Sequence, residues 1–104
     1  MQEILTMEQF ETTKNRDAAV FVFSADWCPD CHYLDTFFPE VMKENPRFNY
    51  YLVNYDSFSK LCEELGVIGI PSFIVYDKGK EIGRFVSKQS KPKWQVVEFL
   101  QGLS

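Results

Sequence analysis

The chain has no apolar run close to the roughly 18 uninterrupted residues of a membrane-spanning helix. Its N-terminus carries no basic segment followed by an apolar stretch, so we expect no signal peptide and a cytoplasmic location. Positive charge is not in excess either, because 15 acidic residues outnumber 11 Lys and Arg and leave a formal net charge of -4. Nucleic acid and membranes are therefore not expected partners.

The chain has only three cysteines, which is an odd number. Disulfide-stapled secreted domains usually carry an even set. The 104 residues are 45% hydrophobic, enough for one core without a metal or disulfides, so we predict a single domain over residues 1–104. Two cysteines lie close together in the sequence Cys28-Pro29-Asp30-Cys31. This spacing indicates chemistry or metal binding.

Helical and extended patterns alternate along the chain, which predicts an α/β domain built on a sheet. The apolar run Ala18–Ser24 is typical of a central strand buried on both faces. A long helix kinked at Pro39 is predicted to follow. The predicted helices are 6–15, 29–45, 58–65 and one opened by Ser90 and Pro92, and the predicted strands are 18–24, 48–54, 72–76 and 81–86, with an extra strand considered at Ile4-Leu5.

Cys28 and Cys31 lie where the buried strand gives way to the long helix. Residues three apart in a helical turn are roughly 5–6 Å apart, which a disulfide accepts. Free N–H groups and the helix dipole near Cys28 favour its thiolate, the reactive form. The position therefore suits reversible disulfide chemistry.

The sequence Trp27-Cys28-Pro29-Asp30-Cys31 resembles the active site of thioredoxins. The segment from Gly66 to Phe73, which contains Gly69-Ile70-Pro71, is similar to the thioredoxin segment that carries a cis-proline beside the cysteines. The resemblance covers nearly the whole chain. It implies the thioredoxin fold, a central mixed sheet flanked by helices on both faces, and a cis bond before Pro71.

The resemblance also implies a thiol–disulfide oxidoreductase that reduces protein or small thiol substrates without a bound cofactor. Cys28 is then the exposed nucleophile and Cys31 resolves the mixed disulfide. Trp27, Gly69, Ile70 and Pro71 form the groove for the substrate backbone, and Pro29 and Asp30 tune the pair. The implied partners are disulfide-bearing proteins and a flavin-dependent thioredoxin reductase or similar electron donor, and the implied state is a monomer.

The chain departs from the thioredoxin pattern at several positions. Val22 stands where thioredoxins usually carry a buried Asp that is thought to help deprotonate the resolving thiol, and Leu52 stands in place of its Lys partner. Thr36 occupies the position of the usual helix-kinking Pro, and Ser87 replaces a loop Gly. The Pro29-Asp30 pair resembles that of a thioredoxin-related branch found in cytosols, which reduces a narrower set of targets.

Other interpretations remain open from the residues alone. Cys28, Cys31, His32 and Cys62 are possible zinc ligands, although a second well-spaced pair is missing. The pattern Cys28–His32 also matches the attachment motif of c-type haem. Cys62 shares an apolar face with Phe58, Leu61 and Leu65 and is expected to be a buried, inert thiol, with a regulatory thiol as the alternative. The basic set Lys78, Lys80, Arg84, Lys88, Lys91 and Lys93 is expected to form a solvated hairpin and loop, with a docking surface for an acidic partner as the alternative.

Two further functional classes compete with a reductase. A non-catalytic binding or accessory module keeps the groove without turning over disulfides. A thiol oxidant or isomerase also uses a proline after its first cysteine. The tryptophan before the motif favours a reductase.

Overall fold

The central strand predicted from the apolar run is present and is buried on both faces in the computed structural model, which describes residues 1–103. Ser104, the last residue of the predicted domain, lies outside the described residues. The elements in chain order are β1 (Gln2–Glu3), α1 (Met7–Arg16), β2 (Ala18–Ser24), α2 (Pro29–Asp35), α3 (Phe38–Glu44), β3 (Asn49–Asn54), α4 (Ser59–Leu65), β4 (Ser72–Asp77), β5 (Lys80–Phe85) and α5 (Lys93–Gln101).

The five strands form one mixed sheet in the order β1-β3-β2-β4-β5. The strand β2 pairs parallel with β3 and antiparallel with β4. Successive side chains of a strand point to opposite faces, and β2 accordingly feeds two cores. Phe21 and Phe23 pack on the side of α1 and α4, whereas Val20 and Val22 pack on the side of α2, α3 and α5. The predicted mixed sheet with helices on both faces is confirmed.

The predicted single long helix is wrong, because two helices occupy its span. The hydroxyl of Thr36 donates to the carbonyl of Tyr33 where α2 ends. Phe37 then leaves helical geometry, and Pro39 lies in the first turn of α3. Proline lacks an N–H and fixes φ, so it suits a helix start and disrupts a helix interior. Pro39 therefore begins a new helix instead of bending an existing one.

Smaller departures concern the ends of elements. The extra strand lies at Gln2–Glu3, two residues before the predicted Ile4-Leu5. Ser90 does not cap α5, whose N-cap is Pro92 without a side-chain bond. The predicted hairpin is confirmed: Lys78 and Gly79 both have positive φ, as its two-residue turn requires.

Removing the Phe73 ring is expected to cost about 3–5 kcal/mol of unfolding free energy. The side chain is fully buried, and its ring lies 5.6 Å from the Phe38 ring and 6.2 Å from the Phe85 ring. Denaturant unfolding of Phe73→Ala measures the loss. The matched control is Leu5→Ala, because Leu5 is 72% exposed and its truncation should change stability by less than about 0.5 kcal/mol. Equal losses in both variants would contradict this account of the core.

Candidate active site

Cys28 stands at the start of α2, four residues beyond the end of β2. Its backbone N–H donates to the carbonyl of Ala25 at 3.3 Å, which closes the turn out of the strand. Pro29 then takes the first helical position, where its missing N–H costs nothing. The Cys28 sulfur acts as the cap and accepts the backbone N–H of Cys31 at 3.2 Å. A donor aimed at this sulfur favours its negative form.

The expectation of an exposed Cys28 is wrong, since the residue is only 4% exposed. Its thiol donates to the carbonyl of Ile70, with 3.8 Å between sulfur and oxygen. The segment around Pro71 therefore lies directly against Cys28.

Cys31 lies deeper and is 1% exposed. Burial raises the pKa of the Cys31 thiol to about 11, and its hydrogen bond with Cys28 acts in the same direction. Hydrogen bonds from Ser24 and Ala25 oppose this and lower the pKa. All three cysteines of the chain are free thiols. In the dithiol form Cys31 is therefore protonated at neutral pH.

The segment Gly69-Ile70-Pro71 contains the cis bond that the resemblance implied, between Ile70 and Pro71. Gly69 faces the backbone of the loop after β5, and a Cβ there would collide with the carbonyl oxygen of Ser87 and with Lys88. Only glycine fits this close approach. The loop after β5 and the segment beside Cys28 are thus in direct contact.

Trp27 is 62% exposed beside the cysteines. Its indole N–H donates to a carboxylate oxygen of Asp56 at 2.6 Å. The side chain of Asn54 accepts the backbone N–H of Asp56 at 3.0 Å and orders that loop. Asp56 is a site residue that the motif did not reveal. The indole is held at the rim with its ring open to solvent.

The candidate metal and haem ligands are not gathered at one point. His32 is exposed, and its Nε2 contacts the carbonyl of Asp26. Cys62 is buried in α4, and its sulfur faces the carbonyl of Tyr55. Within residues 1–103 no group of three or more His, Cys, Asp or Glu side chains is placed to hold a metal ion. The prediction of a buried Cys62 is confirmed.

Lys91 was expected in a solvated loop, and that expectation is wrong because the residue is 1% exposed. Its ammonium donates to the carbonyls of Ser87 at 3.1 Å and Gln89 at 2.8 Å. Burial lowers the pKa of Lys91. The negative charges of Asp30, Cys31 and Cys28 act against burial and raise that pKa. No local pattern distinguishes this lysine from Lys88, which is exposed.

Known proteins share both the sequence pattern and the fold. The Thioredoxin family model matches residues 2–101. Mitochondrial thioredoxin-2 of Schizosaccharomyces pombe is 30% identical over 95 residues, which are 88% of this chain and 71% of that protein. Thioredoxin of Chlamydia pneumoniae is 29% identical over 103 residues, covering 99% of this chain and 95% of that protein. The crystal structure of thioredoxin from Trypanosoma brucei brucei superimposes with a TM-score of 0.83 at 23% identity, covering 95% of this chain and 86% of that one.

A mixed sheet with a Cys-X-X-Cys pair at the junction of strand and helix defines a thiol–disulfide oxidoreductase. The chain belongs to the thioredoxin family. It is a protein-disulfide reductase of that family. Across residues 1–103 no helix is both long and apolar enough to cross a membrane.

Air-oxidised protein is expected to hold one intramolecular disulfide, Cys28–Cys31, and one free thiol at Cys62. Burial and then the negative charge of Asp56 raise the pKa of Cys62 to about 11, which keeps its thiol protonated and slow to react. Alkylation under native and then denaturing conditions, followed by peptide mass spectrometry, locates the label. A bridge that includes Cys62 would contradict the assignment.

Proposed function

We propose that this chain works as a single-domain, monomeric reductase of the cytoplasm in which Cys28 attacks and Cys31 resolves. One observation carries the proposal: the Cys28 sulfur accepts the N–H of Cys31 at the helix start while lying against the carbonyl of Ile70. The first contact supports a thiolate at Cys28. The second brings that sulfur to the segment that would receive a substrate.

The proposed exchange has two steps. The Cys28 thiolate attacks one sulfur of a substrate disulfide, and the other substrate sulfur leaves as a thiolate that takes up a proton. Cys31 then loses its proton and attacks the Cys28 sulfur. The bond between Cys28 and the substrate breaks, the Cys28–Cys31 disulfide forms, and two electrons have passed to the substrate. Because Cys31 is only 1% exposed, other thiols cannot easily reach it.

The substrate groove is proposed to consist of Trp27, Gly69, Ile70 and Pro71. The exposed indole of Trp27 supports one wall, since aromatic surface open to solvent favours binding of apolar groups. The 8% exposure of Ile70 and the close packing of Gly69 on the neighbouring loop support a rigid floor. A rigid groove lowers the entropy lost on binding.

The partners follow from this chemistry. Disulfide-bearing proteins are the proposed substrates, and a flavin-dependent thioredoxin reductase or similar donor is proposed to return the pair to the dithiol in an electron-transport chain. The formal charge of -4 supports a protein that avoids nucleic acid and anionic membranes.

Cys28→Ser is expected to abolish disulfide reduction, whereas Cys31→Ser is expected to trap substrates as mixed disulfides. The difference follows because attack and resolution belong to different sulfurs. Insulin reduction coupled to a reductase measures turnover, and non-reducing gels with mass spectrometry measure trapping. The buried Cys62→Ala variant is the control and should retain activity.

Three outcomes would contradict the proposal. Trapping by Cys28→Ser but not by Cys31→Ser reverses the two roles. Full insulin reduction by Cys28→Ser would show that the reaction does not need the Cys28–Cys31 dithiol. A wild-type protein that binds disulfide substrates but never reduces them is a binding module.

Asp30→His is expected to raise the reduction potential by some tens of millivolts, where ~30 mV corresponds to ~1.4 kcal/mol. A carboxylate between the cysteines repels a thiolate, so it destabilises the reduced form and keeps the pair reducing. We expect the wild-type potential to lie nearer the thioredoxin value of about -270 mV than the value of about -120 mV that is typical of a strong thiol oxidant. Equilibration of both proteins with glutathione measures the potentials. An unchanged or more negative value in Asp30→His excludes Asp30 as a tuning residue.

A further inference from the structure

Of the charged side chains in residues 1–103, Lys91 alone is buried. Moving an ammonium out of water is costly unless other groups compensate for the lost solvation. Two backbone carbonyls supply part of that compensation, at 3.1 Å and 2.8 Å from the Nζ. The ammonium also lies 5.4 Å from the centre of the Phe85 ring. These three contacts hold the charge in one place.

Within residues 1–103, Lys91 has no carboxylate in direct contact. The ion pairs found among the described residues join other side chains, and its own partners are carbonyl oxygens. Carbonyl dipoles orient an ammonium but do not cancel its charge. The positive field of Lys91 therefore extends to neighbouring groups, and in a poorly hydrated interior it is weakly screened.

The loop that holds Lys91 is part of the active-site wall. The Ser87 carbonyl that accepts from Lys91 is the same group that faces Gly69. The ammonium is thereby tied to the segment that touches Cys28. The negative charges of Asp30, Cys31 and Cys28 raise the pKa of Lys91 against the larger opposing effect of burial, so all three act on this ammonium.

A nearby positive charge would help Cys31 to form the thiolate that resolves the mixed disulfide. Burial is the largest cause that raises the pKa of Cys31, and it does not depend on Cys28. It therefore still disfavours the thiolate that resolution requires once Cys28 is joined to a substrate. The two positions that thioredoxins usually fill with a buried Asp and its Lys partner offer no charge here, because Val22 and Leu52, which face each other across β2 and β3, are both apolar.

We propose that the buried ammonium of Lys91 stabilises the Cys31 thiolate as it forms and so speeds resolution of the mixed disulfide. Lys91 is a positioning residue, since it acts through the sulfur and is not the attacking group. In the step it assists, Cys31 releases its proton to solvent, its thiolate attacks the Cys28 sulfur, and the substrate sulfur leaves and is protonated. Lys91 keeps its own proton throughout. This inference rests on the proposed roles of the two cysteines.

The test follows release of thionitrobenzoate from 5,5′-dithiobis(2-nitrobenzoate) in single turnover, in a Cys62→Ala background. Attack by Cys28 releases the first equivalent, and resolution by Cys31 releases the second. The Cys31→Ser variant lacks the second phase and so identifies it. Lys91→Met removes the charge and keeps the length of the side chain. Its second phase is expected to be about tenfold slower at pH 7, with the pH profile of that phase moved about one unit toward alkaline pH.

Matched variants separate charge from packing. Lys88→Met removes one charge from the exposed part of the same loop and should leave the second phase unchanged. Lys91→Arg keeps the charge, cannot serve as a base, and should restore most of the rate. Should Lys91→Met fail to fold, as judged by denaturant unfolding, the neutral Lys91→Gln takes its place.

The outcomes distinguish the two proposals. A wild-type protein without a second phase contradicts the proposed function itself. A wild-type second phase that persists unchanged in folded Lys91→Met overturns the role of Lys91 and leaves the function intact. A Lys91→Arg variant as slow as Lys91→Met also overturns it, because the charge would then not be the cause.

Discussion

Everything in this fold is placed relative to one strand that is buried on both faces. The five residues from Ala19 to Phe23 are at most 1% exposed, so β2 must be covered by helices on either side and by a strand on each edge. A strand enclosed in this way allows chemistry only where it ends. The chain leaves β2 at Ser24 and begins α2 at Pro29, and the two cysteines stand at that junction. The location of the site is thus a consequence of how the core closes.

Much of this arrangement could be predicted from short stretches of the sequence. The central strand, the hairpin at Lys78-Gly79 and the helix ending at Gly66 depend on short-range patterns, namely a run of β-branched and aromatic residues and positions that favour positive φ. The cysteine pair is also a local feature, because its spacing and the proline that follows Cys28 are visible in the five residues from Trp27 to Cys31. These features are decided by residues that are neighbours in the chain.

What the sequence did not reveal depends on contacts between distant segments. Cys28 is enclosed because Ile70, 42 residues further along, lies over its sulfur. Lys91 is buried because the loop after β5 folds around it, and a lysine-rich stretch gives no sign of which member turns inward. The break between α2 and α3 was missed for another reason: the apolar spacing of Leu34, Phe38 and Val41 continues through both helices, as all three pack in the same core. Periodicity alone cannot distinguish one bent helix from two.

The outer edges of the sheet have a consequence for assembly. An unpaired strand edge offers backbone groups to any extended chain, and charged side chains discourage such pairing. The strand β1 is only two residues long. At the opposite edge Glu81 and Arg84 of β5 are joined by two hydrogen bonds of 2.8 Å, and Arg84 also donates to the carbonyl of Leu65. The sheet is therefore protected against lengthening by addition of a foreign strand, which limits edge-to-edge association with extended chains.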